Sequence, residues 1–179
     1  MVRYFAFVHE SQVAKRHRAV ARSSRKADGE LRDRVINGLT LPRAFVEDTA
    51  IGRFKRARGS WQLRQECDAY SNPLETELGK VYATAEAIQE QTARLPRDFE
   101  PGNFYGTRSA DNADGAPGFI PDITDFSWIV CFGISGDDAP FCFDFRDDPN
   151  HPSVVWWDDW YWRRIAPDYE AFVGLFDIG

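Results

Sequence analysis

Three aspartate doublets carry the plainest chemical potential in this chain: Asp137-Asp138, Asp147-Asp148 and Asp158-Asp159. Clustered carboxylates can hold a divalent cation for metal-assisted hydrolysis. That chemistry needs converging ligands, and the chain has no Asp-x-Asp or His-x-Asp spacing to supply them. Each doublet falls at or near a strand end or turn, where turn chemistry and solubility account for it singly. Together they form an acidic rim that could mimic nucleic acid towards a basic protein partner, since complementary charge speeds association and selects partners. With Trp160 as an aromatic anchor beside them, these six aspartates are the candidate partner-binding residues.

Other reactive side chains give no catalytic pattern. His9 and His17 lie in a basic stretch and His151 in a turn between prolines. No GxSxG nucleophile motif is present. Cys67, Cys131 and Cys142 show no CxxC spacing, so no zinc or other cofactor is expected, and buried reduced thiols are. Asp144 and Arg146 lie two apart on one strand face and are expected to pair with each other or with neighbours across the sheet, Asp144 being held by backbone donors or an arginine because an unpaired buried carboxylate is costly.

These side chains must be positioned by one domain's worth of chain, 179 residues with 15% aromatics. No run of 18 apolar residues could span a membrane, and the start lacks the pattern of a signal peptide, so a cytoplasmic protein is expected. Charge is polarised along the chain: residues 1–64 hold 15 Lys/Arg against 6 Asp/Glu, and residues 65–179 hold 7 against 22. The basic residues 1–29 read as a partly irregular arm, and the turn-rich stretch at about 101–118 as a mobile loop. Aromatic residues are sparse among the basic ones, which argues against a nucleic-acid stacking platform.

The elements follow from periodicity. A helix is predicted over 30–37, presenting Leu31, Val35 and Ile36 inward and stopped by Asn37-Gly38. Thr40 is predicted to cap a second helix with Phe45, Val46 and Ile51 facing the core and Gly52 closing it. Strands are predicted around Trp61 and over 80–83. A helix then runs from the cap Thr84 to Pro96, which should end it. "FSWIVCFG" and "PFCFDFR" read as a hairpin pairing Cys131 with Cys142 and Phe132 with Phe141. "SVVWWD" is a further strand, with at least one of Trp156 and Trp157 packed in the core. Trp160 and Trp162 should fall in the turn into the last helix, with Arg163 and Arg164 exposed, and Pro167 at that helix's first position. Consecutive strands with short connections argue an α+β fold with a mainly antiparallel sheet.

The run from the Phe132-Gly133 strand end through the Ser135-Gly136-Asp137 turn, Phe141 to Asp144, Trp156-Trp157-Asp158 and Ile165-Ala166 into an amphipathic helix resembles the SUKH superfamily. This superfamily contains the bacterial relatives of the yeast Smi/Knr cell-wall regulators. The likeness is clear over roughly 128–176, and residues 40–95 fit the family's order of elements. It implies a curved sheet of about five to six strands backed by helices in a single domain over 30–179. It also implies a non-enzymatic protein-binding role, with no catalytic residue set to carry over. Many bacterial members are immunity proteins that block a cognate toxin, often a nuclease or deaminase. A regulatory scaffold like the yeast proteins is the alternative, and a nucleic-acid binder using the basic arm a more distant one.

Overall fold

The computed structural model describes residues 35–55, 59–99, 118–158 and 161–178. The arm at 1–29 and the loop residues 101–117 lie outside these. Described strands are β1 (Val35–Ile36), β2 (Leu39–Thr40), β3 (Trp61–Gln62), β4 (Glu77–Val81), β5 (Ile129–Ser135), β6 (Pro140–Asp144), β7 (Ser153–Asp158) and β8 (Tyr161–Ala166). Described α-helices are α1 (Arg43–Ile51), α2 (Ala85–Phe99) and α3 (Tyr169–Leu175). Strands β3 to β8 form one antiparallel sheet in chain order. The α+β prediction holds.

Both faces of that sheet are covered. Phe132, Phe141 and Phe143 meet Phe45 of α1 and Tyr169 and Phe172 of α3, with ring centroids 4.2–6.2 Å apart. Such pairs add about 0.5–1.5 kcal/mol each beyond their burial. Cys131, Trp157 and Trp162 point the other way, towards α2: the Cys131 amide donates to Thr92 Oγ1 at 3.0 Å, and Phe99 lies edge-on to Trp157 and Trp162. Alternation along β6 and β7 thus feeds two cores, and Trp156 and Trp157 are both buried, one on each side.

The edges are covered too. Beside β3, Leu63 bridges Phe176 and Gln62 accepts from the Asp177 amide at 2.9 Å. Beside β8, Phe119 bridges Arg163, and Ile165 accepts from the Ala69 amide at 3.0 Å. Unpaired edges would otherwise invite further strands.

The structure corrects several expectations. Val35 and Ile36 are strand, not helix, and Val35 is exposed. Asn37 and Gly38, with φ of 51° and 84°, form the turn of a two-residue hairpin between β1 and β2. Asn-Gly tolerates positive φ at both turn positions, so hairpin chemistry wins over the helix stop. Thr40 lies in β2, and α1 starts after Pro42 with no side-chain cap. Ile51 is 79% exposed at the end of α1, where the apolar stripe has rotated away from the core. Gly52 closes α1 in the left-handed region as predicted.

Helix α2 runs through Pro96 to Phe99, because packing of Phe99 on two tryptophans outweighs the lost backbone donor. A bulge between Cys131 and Gly133 sets Gly133, not Phe132, opposite Phe141, while Cys131 does face Cys142. A Cβ on Gly133 would lie 2.8 Å from the Lys80 carbonyl, so this position admits the close approach of β4. Residues 161–166 are strand β8 rather than a turn. Trp162 is therefore buried at 1% exposure, Arg163 is buried, and Arg164 is half-buried. The last helix starts at Tyr169 with Asp168 as its cap, accepting from the Ala171 amide at 2.8 Å.

Candidate functional site

Helix α2 carries Gln91, Arg94, Leu95, Asp98 and Phe99, spaced so that all five share one side. That side, with Tyr82, Cys131, Asp137, Asp138, Pro140 and Trp157, lines an open groove of about 520 Å³ at the β5–β6 end of the sheet. Its walls are aromatic and its rim is acidic.

The rim is held rigidly at the turn. Buried Ser135 donates through its hydroxyl to Asp137, accepts the Ala139 amide at 2.9 Å, and pairs its own amide with the Ala139 carbonyl at 2.9 Å. Asp138 takes φ of 68°, a conformation that short polar side chains tolerate. On the helical side Asp98 accepts from Arg97 Nε at 2.7 Å and lies 3.8 Å from Arg94. The hydrogen bond from Arg97 holds its carboxyl below the usual range. Tyr82 is pushed up to about 12, by burial first and then by nearby groups including Cys131. The Lys80 ammonium lies 5.1 Å from the Tyr82 ring centroid, so the edge of this wall already accommodates a cation.

In an antiparallel meander successive turns alternate between opposite ends of the sheet. Asp137, Asp138 and Asp158 therefore share one end, and Asp147 and Asp148 stand at the other. The doublets do not make one continuous rim. Asp147 pairs with Arg164. Asp148 accepts the Asn150 amide at 2.8 Å and His151 Nδ1 at 3.1 Å, which holds its carboxyl below the usual range. Asp159 and Trp160 lie outside the described residues. Asp144 is buried and held by Arg146 through two side-chain bonds of 2.8 and 2.9 Å, as expected.

Asp158 belongs to a buried ionic cluster that the sequence did not reveal. Arg163 donates to Asp158 at 3.1 Å, to Asp68 at 2.8 Å and to the Pro73 carbonyl at 2.6 Å. Burial pulls the Arg163 pKa down, but its hydrogen bonds and charge pairing with Asp68 and Asp158 prevail and raise it. Asp68 also accepts the Tyr70 and Asn72 amides at 2.8 and 2.9 Å, which fastens the β3–β4 connection to the sheet. The Asp68 turn is readable locally. Its partner 95 residues away is not. Of the missed groove residues, Asp98 had a local signal in the side-sharing spacing along α2, and Tyr82, just past β4, had none.

Among the described residues no group of three or more His, Cys, Asp or Glu is placed to hold a metal ion, and no helix is long and apolar enough to cross a membrane. Residues 74–174 match the model of the SMI1 / KNR4 family (SUKH-1), more than half of the chain. This chain belongs to that family. The matched span of the SUKH-1 domain runs from just before β4 into α3, and so includes the groove on both its walls. No curated protein and no solved structure matches the chain significantly.

Proposed function

We propose that this SUKH-1 protein is a non-enzymatic binding module: a bacterial cytoplasmic immunity protein that binds and neutralises a cognate toxin domain, such as a nuclease or deaminase. The observation that carries the reading is the groove between α2 and the β5–β6 turn. Half-buried Phe99, backed by the almost fully buried Tyr82 and Trp157, offers apolar contact area, and Asp137 and Asp138 at the rim suit a basic partner surface. The family membership points to protein recognition in the same direction.

The test is to co-express the protein with any toxin domain found encoded next to its gene, followed by calorimetry on the purified pair. A stable complex and restored growth are expected. Asp137→Lys with Asp138→Lys should weaken binding about tenfold, or about 1.4 kcal/mol, and slow association most at low salt. A toxin that kills equally with and without the protein would sink the proposal. Recovery of several housekeeping proteins and no toxin would favour a regulatory scaffold instead.

A further inference from the structure

Cys131 in β5 and Cys142 in β6 stand directly opposite each other in the ladder. Opposed residues in an antiparallel pair have Cα atoms about 4.5 or 5.5 Å apart, and a disulfide tolerates about 4.4–6.8 Å. Both thiols are free and share the face that packs on α2. The Cys131 thiol donates to the Gly133 carbonyl at 3.5 Å, which places its sulfur beside the bulge. Both thiols are buried, Cys142 at 0% and Cys131 at 2% exposure, and of the two only Cys131 borders the groove, at its floor. The bulge between Cys131 and Gly133 interrupts the ladder beside the pair and bends the strand there.

We propose that Cys131 and Cys142 form a reversible oxidation site, closed into a cross-strand disulfide by a small peroxide that reaches Cys131 through the groove. The Cys131 thiolate attacks one oxygen of hydrogen peroxide. The O–O bond breaks, the sulfur is oxidised to a sulfenic acid, and hydroxide leaves and takes up the thiol's proton as water. The Cys142 sulfur then attacks the Cys131 sulfur. The S–S bond forms, the S–O bond breaks, and the Cys142 proton leaves with the hydroxyl as a second water. Two thiols and one peroxide give one disulfide and two waters, and a dithiol reductant reverses the change. The link ties together the two strands that carry the Asp137-Asp138 turn, so it stiffens one wall of the groove.

The experiment uses the full chain with Cys67→Ser, which removes the more accessible thiol, treated while folded with hydrogen peroxide. Intact mass should fall by two hydrogens, peptide mapping should link Cys131 to Cys142, circular dichroism should stay native, and dithiothreitol should restore the starting mass. The same map of the unsubstituted chain should show the same link, which guards against a folding defect in the variant. Adding Cys142→Ala should abolish the two-hydrogen loss. Added oxygen in place of the link, intermolecular dimers, no reaction while folded, or a link that forms only in urea would each overturn the proposal.

Discussion

Arg163 shows how much one side chain can hold. It lies between Asp158 and Asp68, and the Asp68 side chain is fully buried. Removing the cation leaves that carboxylate without its charge partner in a poorly solvated site. Arg163→Ala should therefore cost roughly 3–5 kcal/mol, a large part of the roughly 5–15 kcal/mol that holds an ordinary domain together. Arg163→Lys should fall between, because an ammonium keeps the charge and loses the planar fork. Arg43 also pairs with a carboxylate, Glu47, but both side chains are mostly exposed. Arg43→Ala should cost far less, because solvent screens an exposed pair. Urea unfolding midpoints of the three variants check the order. Equal midpoints for Arg163→Ala and Arg43→Ala would refute the structural role given to the cluster.

At the scale of elements, turn chemistry decides some shapes and packing decides others. The β1–β2 hairpin buries Ile36 and Leu39, and its Asn-Gly turn sets its form. A Cβ at Gly38 would meet nothing within 4 Å, so a substitution there tests backbone strain alone. Gly38→Ala should cost about 1–2 kcal/mol, the penalty for an L-residue in the left-handed region, and Asn37→Gly should be nearly neutral. Thermal midpoints measure both, and a neutral Gly38→Ala would mean that the turn does not anchor the hairpin. Helix α2 is the opposite case. Its proline argues for an end at Pro96, but Phe99 reaches two buried tryptophans and the helix continues. Strand β8 is similar: two tryptophans and two arginines read as a surface corner until Trp157 pairs with Trp162 and Asp68 reaches Arg163.

The whole molecule carries a pH signature. Glu77 is held below the usual carboxylate range by hydrogen bonds from Ser60 and Gln62, and Asp98 by Arg97. Asp125 is held there by Ser127, and Asp148 by the Asn150 amide and His151. For each, the unfolded chain takes up its proton at higher pH than the folded one. Their contribution is complete above the ordinary carboxylate range and drains away as pH falls through the lowered folded values. The thermal midpoint should be steady above about pH 5 and fall progressively as pH drops below the ordinary carboxylate range of about 4. Tyr82 acts on the alkaline side. Raised to about 12, it keeps its proton in the folded state, so its contribution is whole below about pH 10 and is lost as pH climbs through the folded value. Midpoints across both windows, with ultraviolet detection of tyrosinate, would show the two limbs. A flat acid limb would contradict the hydrogen bonds assigned to these carboxylates.

The sequence by itself determined the α+β class, the strands from Ile129 to Asp158, the pairing of Cys131 with Cys142 and the family likeness. Each of these rests on local alternation or on contacts between neighbours joined by short turns, and both can be read within a few tens of residues. Tertiary structure decided the rest. Which carboxylates share an end of the sheet depends on strand direction, which brings Asp137 and Asp138 to the groove and sends Asp147 and Asp148 away. That Asp98 and Tyr82 complete the groove, and that Arg163 is buried, depends on partners remote in the chain, whose meeting is fixed by packing rather than by any motif along it.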